Sequence, residues 1–362
     1  MNAASIEPAR PDDEAEIRAL LREATVPGEV ALSFQREPSY AAGERVIGRE
    51  ALTLVARHDG RLVAVASAVL RDLFLAGHPT EVAYLSLLRV ARVAQGRGLV
   101  PRGLAALREH LLERGLAGAF ATISTGNVGA ERVLIDRPGR RRRGFVAVAD
   151  LRTLTFPAAR RLDGGRAASV RSATHADLDE VLAFLDRHGP KRDLFPVVER
   201  SELSGALPGL TLADVLLARR GGSLRGVLAV WDQHTVRQTV VRGYGRRLTL
   251  AKPLLDAGRV LRGARALPRV GEALRVACAS HVCVADADPG VANDLLRAAG
   301  RRAAAQGAHV VALTLATTDP LLPIAARRRH VAYGSRLVVL PLADPAFAAR
   351  FERVPFVDAA RL

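Results

Sequence analysis

Leu88-Arg89-Val90-Ala91-Arg92-Val93-Ala94-Gln95-Gly96-Arg97-Gly98-Leu99 decides how this chain is read: a strand-forming run ends in a glycine-rich turn that opens a long amphipathic helix. The first N–H groups of a helix lack partners within it and carry the positive end of the helix dipole. Glycines ahead of them let the main chain close around an anion, so the segment predicts a phosphate cradle able to take a pyrophosphate.

No Lys-Ser/Thr pair follows for a P-loop, and the third glycine of a dinucleotide fingerprint is missing. Gln95-Gly96-Arg97-Gly98-Leu99-Val100 instead resembles motif A of the GCN5-related N-acetyltransferases (GNAT), Gln/Arg-x-x-Gly-x-Gly/Ala directly after the fourth strand. Val100 departs from the pattern at its last position, keeping its N–H but adding a side chain to the turn.

A repeat extends this resemblance over nearly the whole chain. Ala9-Arg10-Pro11-Asp12-Asp13-Glu14-Ala15-Glu16-Ile17 recurs as Ala173-Thr174-His175-Ala176-Asp177-Leu178-Asp179-Glu180-Val181. Each copy leads into apolar residues at helical spacing, Ile17, Leu20, Leu21 and Ala24 against Leu178, Val181, Leu182 and Leu185. The hairpin Leu54–Ala64 matches Leu216–Gly226, with Asp59-Gly60 and Gly221-Gly222 at the turns, where both central residues take positive φ. Gly115–Asn127 parallels Gly307–Asp319, and Gly144-Phe145-Val146 parallels His330-Val331-Ala332. The resemblance therefore implies an α/β chain of two tandem GNAT-like domains. Each would be a mixed, mostly antiparallel sheet flanked by helices and splayed at its fourth strand. The expected bounds are residues 1–157 and 168–342, with a tail over 343–362.

The second cradle has decayed to Ala285-Asp286-Ala287-Asp288-Pro289-Gly290-Val291. Pro289 removes a donor and the two aspartates repel phosphate, so only the first copy is expected to hold nucleotide. The second is expected to serve as a scaffold or to shape an acceptor pocket.

The 362 residues are 49% apolar and carry a net charge of +16, enough for two cores of ordinary size. The first residues lack an apolar run and no stretch reaches membrane-spanning length, which points to a cytoplasmic protein without a membrane partner. Of the 53 basic residues only Lys191 and Lys252 are lysine; the arginines are spread over both halves and few aromatics interleave them, which argues against nucleic acid as partner. Arg140-Arg141-Arg142-Arg143, with a weaker twin in Arg327-Arg328-Arg329, is a candidate for the 3′-phosphate of coenzyme A or an acidic acceptor. Cys278 and Cys283 have no ligand-spaced histidine; their odd separation sets them on opposite strand faces, as buried thiols with no metal. His58, His78 and His110 have no partners at recognisable spacing and are read as surface or hairpin residues.

What the resemblance implies chemically is acetyl transfer from acetyl-CoA to a primary amine, most simply of a small molecule. Leu88 and Val90 would offer main-chain groups to the pantetheine arm and an N–H to the thioester oxyanion. Gln95, Gly96, Arg97, Gly98 and Val100 would hold the pyrophosphate, and Asn127 would belong to the same cofactor site. The ammonium must lose a proton before it attacks, and the position where histone-type members carry a base glutamate is Tyr84 here. Glu81 lies three residues away on the other strand parity, though a bulge could bring it round. The tyrosine that many members place in the helix after Asn127 is Ile135, leaving Tyr84, Ser86 and Tyr40 as candidate proton donors. Tyr84 and Ser86 are expected to share parity with Leu88 and Val90. Val26–Glu50, with Phe34, Arg36 and Glu37, is the segment expected either to lid the acceptor or to form an ordinary helix and edge strand.

Overall fold

The computed structural model describes residues 5–135, 144–160 and 170–362. The first half runs β1 (Ser5–Pro8), α1 (Glu14–Glu23), β2 (Val30–Gln35), α2 (Tyr40–Ile47), β3 (Glu50–His58), β4 (Arg61–Leu75), β5 (His78–Val90), α3 (Leu99–Glu113), β6 (Gly118–Ser124), α4 (Val128–Leu134) and β7 (Val146–Pro157). The second runs β8 (Val170–Ser172), α5 (Leu178–His188), β9 (Val215–Arg220), β10 (Ser223–Asp232), β11 (Gln238–Tyr244), α6 (Arg246–Leu261), β12 (Val276–Val284), α7 (Pro289–Ala305), β13 (Val310–Ala316), α8 (Leu322–Ala326) and β14 (Val331–Pro341).

Both halves join in one 12-stranded sheet of order β1-β3-β4-β5-β6-β14-β7-β13-β12-β10-β9-β8. β5 and β6 pair in parallel, as do β12 and β13, while the remaining neighbours are antiparallel. The order reads alike from either end, and its middle is an exchange. β14, last strand of the second half, pairs with β6 of the first, Leu340 opposite Ala119. In return β7 pairs with β13, Leu154 opposite Leu313, and the two exchanged strands pair with each other. A second exchange joins β2 to β11 in a small separate sheet, Phe34 opposite Thr239. Val26–Glu50 is thus a strand and a helix, with Phe34 half exposed and Arg36 buried.

The sequence repeat persists at atomic level. Arg57 Nη1 donates to Glu16 Oε1 (3.1 Å) and to the Gly60 carbonyl (3.0 Å); Arg219 Nη1 donates to Glu180 Oε1 (3.0 Å) and to the Gly222 carbonyl (3.0 Å). Asp13 accepts the Arg10 N–H and Asp177 the Thr174 N–H, both at 2.8 Å, each fixing the turn that leads into its helix. Asp59, Gly60, Gly221 and Gly222 all have positive φ, as the hairpins require.

α3 covers one face of the first half and α1 with α2 the other. Leu107 and Leu111 pack on Ala66, Ala68 and Ala121 on the α3 side, while Ile17, Leu21 and Tyr40 pack on Val55 and Val65 opposite. The segment after β14 is built into the core: Phe347, Phe356 and Asp358 are buried, and Asp358 accepts from Ser280 Oγ (2.6 Å).

One expectation is corrected by backbone detail. Cys278 and Cys283 lie opposite Trp231 and Val227, four residues apart on β10 and so on one face, because a bulge at His281 (φ 51°) adds a residue between them. Burial pushes both thiols up to about 12, so they stay protonated. Arg328 is tied to the Asn293 carbonyl at 2.8 Å and serves α7. Arg140–Arg143 lie outside the described residues. Among the described residues no helix is long and apolar enough to cross a membrane.

Candidate active site

β5 carries the site because it is irregular. Its pairing with β6 stops at Ala83↔Ala119 and Tyr84↔Phe120, and beyond Tyr84 the two strands part. At the same place Leu87 takes φ 53° and the ladder to β4 slips by one residue, from Ser67↔Ser86 to Val65↔Arg89. Main-chain groups on the β6 side of residues 85–90 are left without a ladder partner, the arrangement an extended ligand needs in order to add as a strand. β12 repeats the device: its parallel pairing ends at Cys278, and His281 has φ 51°.

The bulge corrects the expected parity. Ser86 and Arg89 face the α1/α2 side with Tyr84, whereas Leu88 packs with Ala66 and Ala68 and Val90 with Ala64 and Leu99 on the α3 side. An inserted residue turns every later side chain over.

Beyond β5, Gly96 (φ 78°) and Gly98 (φ 72°) shape the turn, and Gly98 is the residue that caps α3 without a side chain. A Cβ on either glycine would meet nothing within 4 Å, so space stands open above the Leu99 and Val100 amides. Pro101 withholds the next donor, which concentrates the cradle on those two amides and the loop. Gln95 turns back to the Val90 carbonyl (3.4 Å), and Arg97 reaches His58 Nε2 (2.7 Å) on the β3–β4 hairpin. Asn127 caps α4 through Ala130 N–H (3.2 Å), and Ile135 packs into the core below.

In the second half the same space is occupied. Asp288 caps α7, its Oδ1 accepting from the Gly290 (2.8 Å) and Val291 (3.1 Å) amides, while Oδ2 pairs with Arg220 (2.9 Å). A carboxylate of the chain sits where a phosphate would. The splay is filled too: Asp358 takes the Ser280 hydroxyl beside the His281 bulge.

Tyr84 is buried, its ring 5.1 Å from that of Phe120 and its hydroxyl 3.5 Å from Thr122 Oγ1. Burial raises the phenol above its ordinary range. The Ser86 hydroxyl is buried with no hydrogen-bond partner. Glu81 stands apart, paired with Arg49, which also holds Asp72 across the ladder. Arg36, Arg71, Arg89 and Arg237 converge on the Tyr84 face. Burial pushes Arg71 and Arg237 down to about 9, so both remain cations at neutral pH.

Residues 16–134 match the model of the Acetyltransferase (GNAT) family. The matched segment includes the splayed β5 and the glycine turn that opens α3. No curated protein sequence matches the chain. Among solved structures the chain is similar to Saccharomyces cerevisiae N-myristoyltransferase with bound myristoyl-CoA, at 11% identity over 94% of this chain and 79% of that one (TM-score 0.63). A second structure of that enzyme gives 11% identity over 94% and 83% (TM-score 0.61). It is also similar to a GCN5-related glucosamine N-acetyltransferase region of a fungal multi-domain GH3 β-N-acetylglucosaminidase, at 14% identity over 94% of this chain and 38% of that one (TM-score 0.63). At such identities the likeness is one of fold.

Sequence reasoning passed over two charged residues of the GNAT domain's inner face. Glu44, four residues after Tyr40 on α2, is buried, and its Oε2 accepts from Ser67 Oγ (2.6 Å). Arg71 follows the stretch Leu62–Leu70 of β4, apolar but for Ser67, and an arginine set into such a strand is the signal that could have found it.

Proposed function

We propose that the GNAT half transfers an acetyl group from acetyl-CoA to the primary amine of a small molecule. The observation that carries this reading is the contrast between the open cradle at Gly96 and Gly98 and the Asp288-filled one in the other half. The Leu99 and Val100 amides would hold the pyrophosphate, with the loop through Gln95 and Arg97 around it. The main chain near Leu88 and Val90 would pair with the pantetheine arm and offer an N–H to the thioester oxygen. Tyr84 and Ser86, on the α1/α2 face of β5, would manage protons as the C–N bond forms and the C–S bond breaks. Glu81, held by Arg49, would contribute only through water. Asn127 would support the cofactor through the start of α4.

The second reading is an acyl-CoA-binding protein without turnover. One observation favours it: Ile135 is an apolar core residue at the position where a tyrosine was expected. Titration calorimetry with acetyl-CoA tests the shared premise, and thiol release over a panel of small amines separates the two. Binding with release supports transfer; binding without release on any amine supports the second reading.

A further inference from the structure

The face around Tyr84 holds more unpaired buried charge than a folded interior tolerates without a partner. Arg71 is buried, and neither its Nε nor its Nη2 has a hydrogen-bond partner. Its Cζ lies 5.9 Å from the centre of the Phe120 ring, the same ring that Tyr84 packs against. Two carboxylates are near enough to influence it, but both are taken: Asp358 by Ser280 Oγ (2.6 Å) and Glu202 by Arg361 (2.6 Å).

At the other end of this face stands Glu44. Its Oε2 accepts from Ser67, and Ser67 lies directly opposite Ser86 on β5. Its Oε1 is buried without a hydrogen bond and forms an ion pair with Arg36 Nε at 3.8 Å, longer than a hydrogen bond. Glu44, Tyr40 and Thr53 also line a cavity of about 350 Å³ that opens between α1, α2 and β3 and does not extend to Tyr84 or Arg71. Arg71 and Ser67 are four residues apart on β4, roughly 13 Å along the strand. Tyr84, opposite Val69, stands between them.

We propose that the acceptor is a small amine carrying a carboxylate or similar anionic group on its far end, with Arg71 as the anchor of that anion and Glu44 as the partner of the ammonium. This rests on the reading of the GNAT half as an acyltransferase. Glu44 takes the first proton from the ammonium, the freed amine attacks the thioester carbonyl and the C–N bond forms; as the C–S bond breaks, the second nitrogen proton passes to the departing coenzyme A thiolate, which leaves as the thiol. Ser67, Thr53 and Tyr40 continue from Glu44 as a chain of hydroxyls, at 3.4 Å from Ser67 to Thr53 and 2.8 Å from Thr53 to Tyr40, which gives the proton a way out. With Arg36 paired to Glu44, the arginines Arg89 and Arg237 besides Arg71 favour an anionic acceptor over a purely cationic one.

The test uses the full chain saturated with coenzyme A and compares ω-amino acids, from 3-aminopropanoate to 6-aminohexanoate, with n-alkylamines of equal length by calorimetry. Thiol release with acetyl-CoA is read in parallel. At least one acid should exceed its alkylamine on the order of 10- to 100-fold, the value of a charge-assisted hydrogen-bonded pair. Arg71→Met should bring that ratio to about one, and Arg71→Lys should retain part of it. Arg71→Met should also melt no lower than wild type, since an unpartnered buried cation is replaced by an apolar chain of similar volume. Glu44→Gln should lower turnover and weaken both series while acetyl-CoA affinity holds. The proposal is overturned if acids show no preference in the wild type, or if Arg71→Met keeps the preference. It is equally overturned if Arg71→Met loses stability with the ratio unchanged, which would make Arg71 a structural counter-ion. Failure of coenzyme A and acetyl-CoA to bind at all would instead strike the acyltransferase reading on which the proposal stands.

Discussion

At the residue scale the two cradles differ chiefly at one place, Gly98 in the first and Asp288 in the second, each the residue just before its helix. Gly98→Asp places a carboxylate over the Leu99 and Val100 amides, and aspartate is among the residues that best tolerate positive φ. Acetyl-CoA affinity should fall on the order of 100-fold or more, with folding intact by circular dichroism. Asp288→Ala removes a cap in the other half; it should leave acetyl-CoA affinity unchanged in calorimetry and lower Tm by roughly 2–4 °C. Equal losses of affinity in both variants would mean that both halves bind nucleotide. Tyr84→Phe keeps the ring on Phe120 and removes only the hydroxyl. If that hydroxyl handles a proton, turnover should drop about 100- to 10,000-fold at constant acetyl-CoA affinity; unchanged turnover removes Tyr84 from the mechanism.

At the scale of elements, what could be read ahead was local and what could not was a matter of register. Helix starts at Asp13 and Asp177, the hairpin turns and the glycine turn are each written in a few adjacent residues whose backbone preferences are strong. A positive φ at Leu87 or His281 is not, because leucine disfavours it and histidine adopts it only occasionally; tertiary packing imposes it. That single unmarked residue reversed the expected faces of Leu88 and Val90, and its twin did the same to the cysteine pair. The joint between β12 and β13 carries a pH dependence of its own. His309 Nδ1 accepts the Arg275 N–H (3.0 Å), which only a neutral nitrogen can do. Burial, helped by Arg265 and Arg259, pushes this ring from 6.5 down to about 4. Between those values the unfolded chain binds a proton that the folded chain refuses. Stability is therefore complete above pH 6.5 and is lost as pH falls toward 4, by at most roughly 3 kcal/mol. His309→Asn, which can still accept from Arg275, should flatten this acid branch in denaturant titrations across the same range; an unaltered slope would assign it to other groups.

At the scale of the molecule, strand order was legible and strand ownership was not. The succession of elements along the chain is the same whether β7 and β14 stay at home or trade places, so no periodicity or motif distinguishes the two. The exchange makes β6 depend on a strand from the other half, with Val338 opposite Ala121 and Val339 opposite Phe120. A fragment of residues 1–157 leaves the Phe120 edge unpaired. It should aggregate or lack a cooperative melt, while the full chain melts as one unit; a soluble, cooperatively folding fragment would show that the traded strand is dispensable. The trade also sets a schedule for biosynthesis. β14 is synthesised long after β6, so the half that emerges first cannot close its sheet until the strand of the later half has been made. Nascent chains stalled before β14 should present the open edge of β6 to chaperones. The second half, with its cradle closed by Asp288, is thereby kept indispensable as the supplier of a strand, whatever becomes of its own binding site.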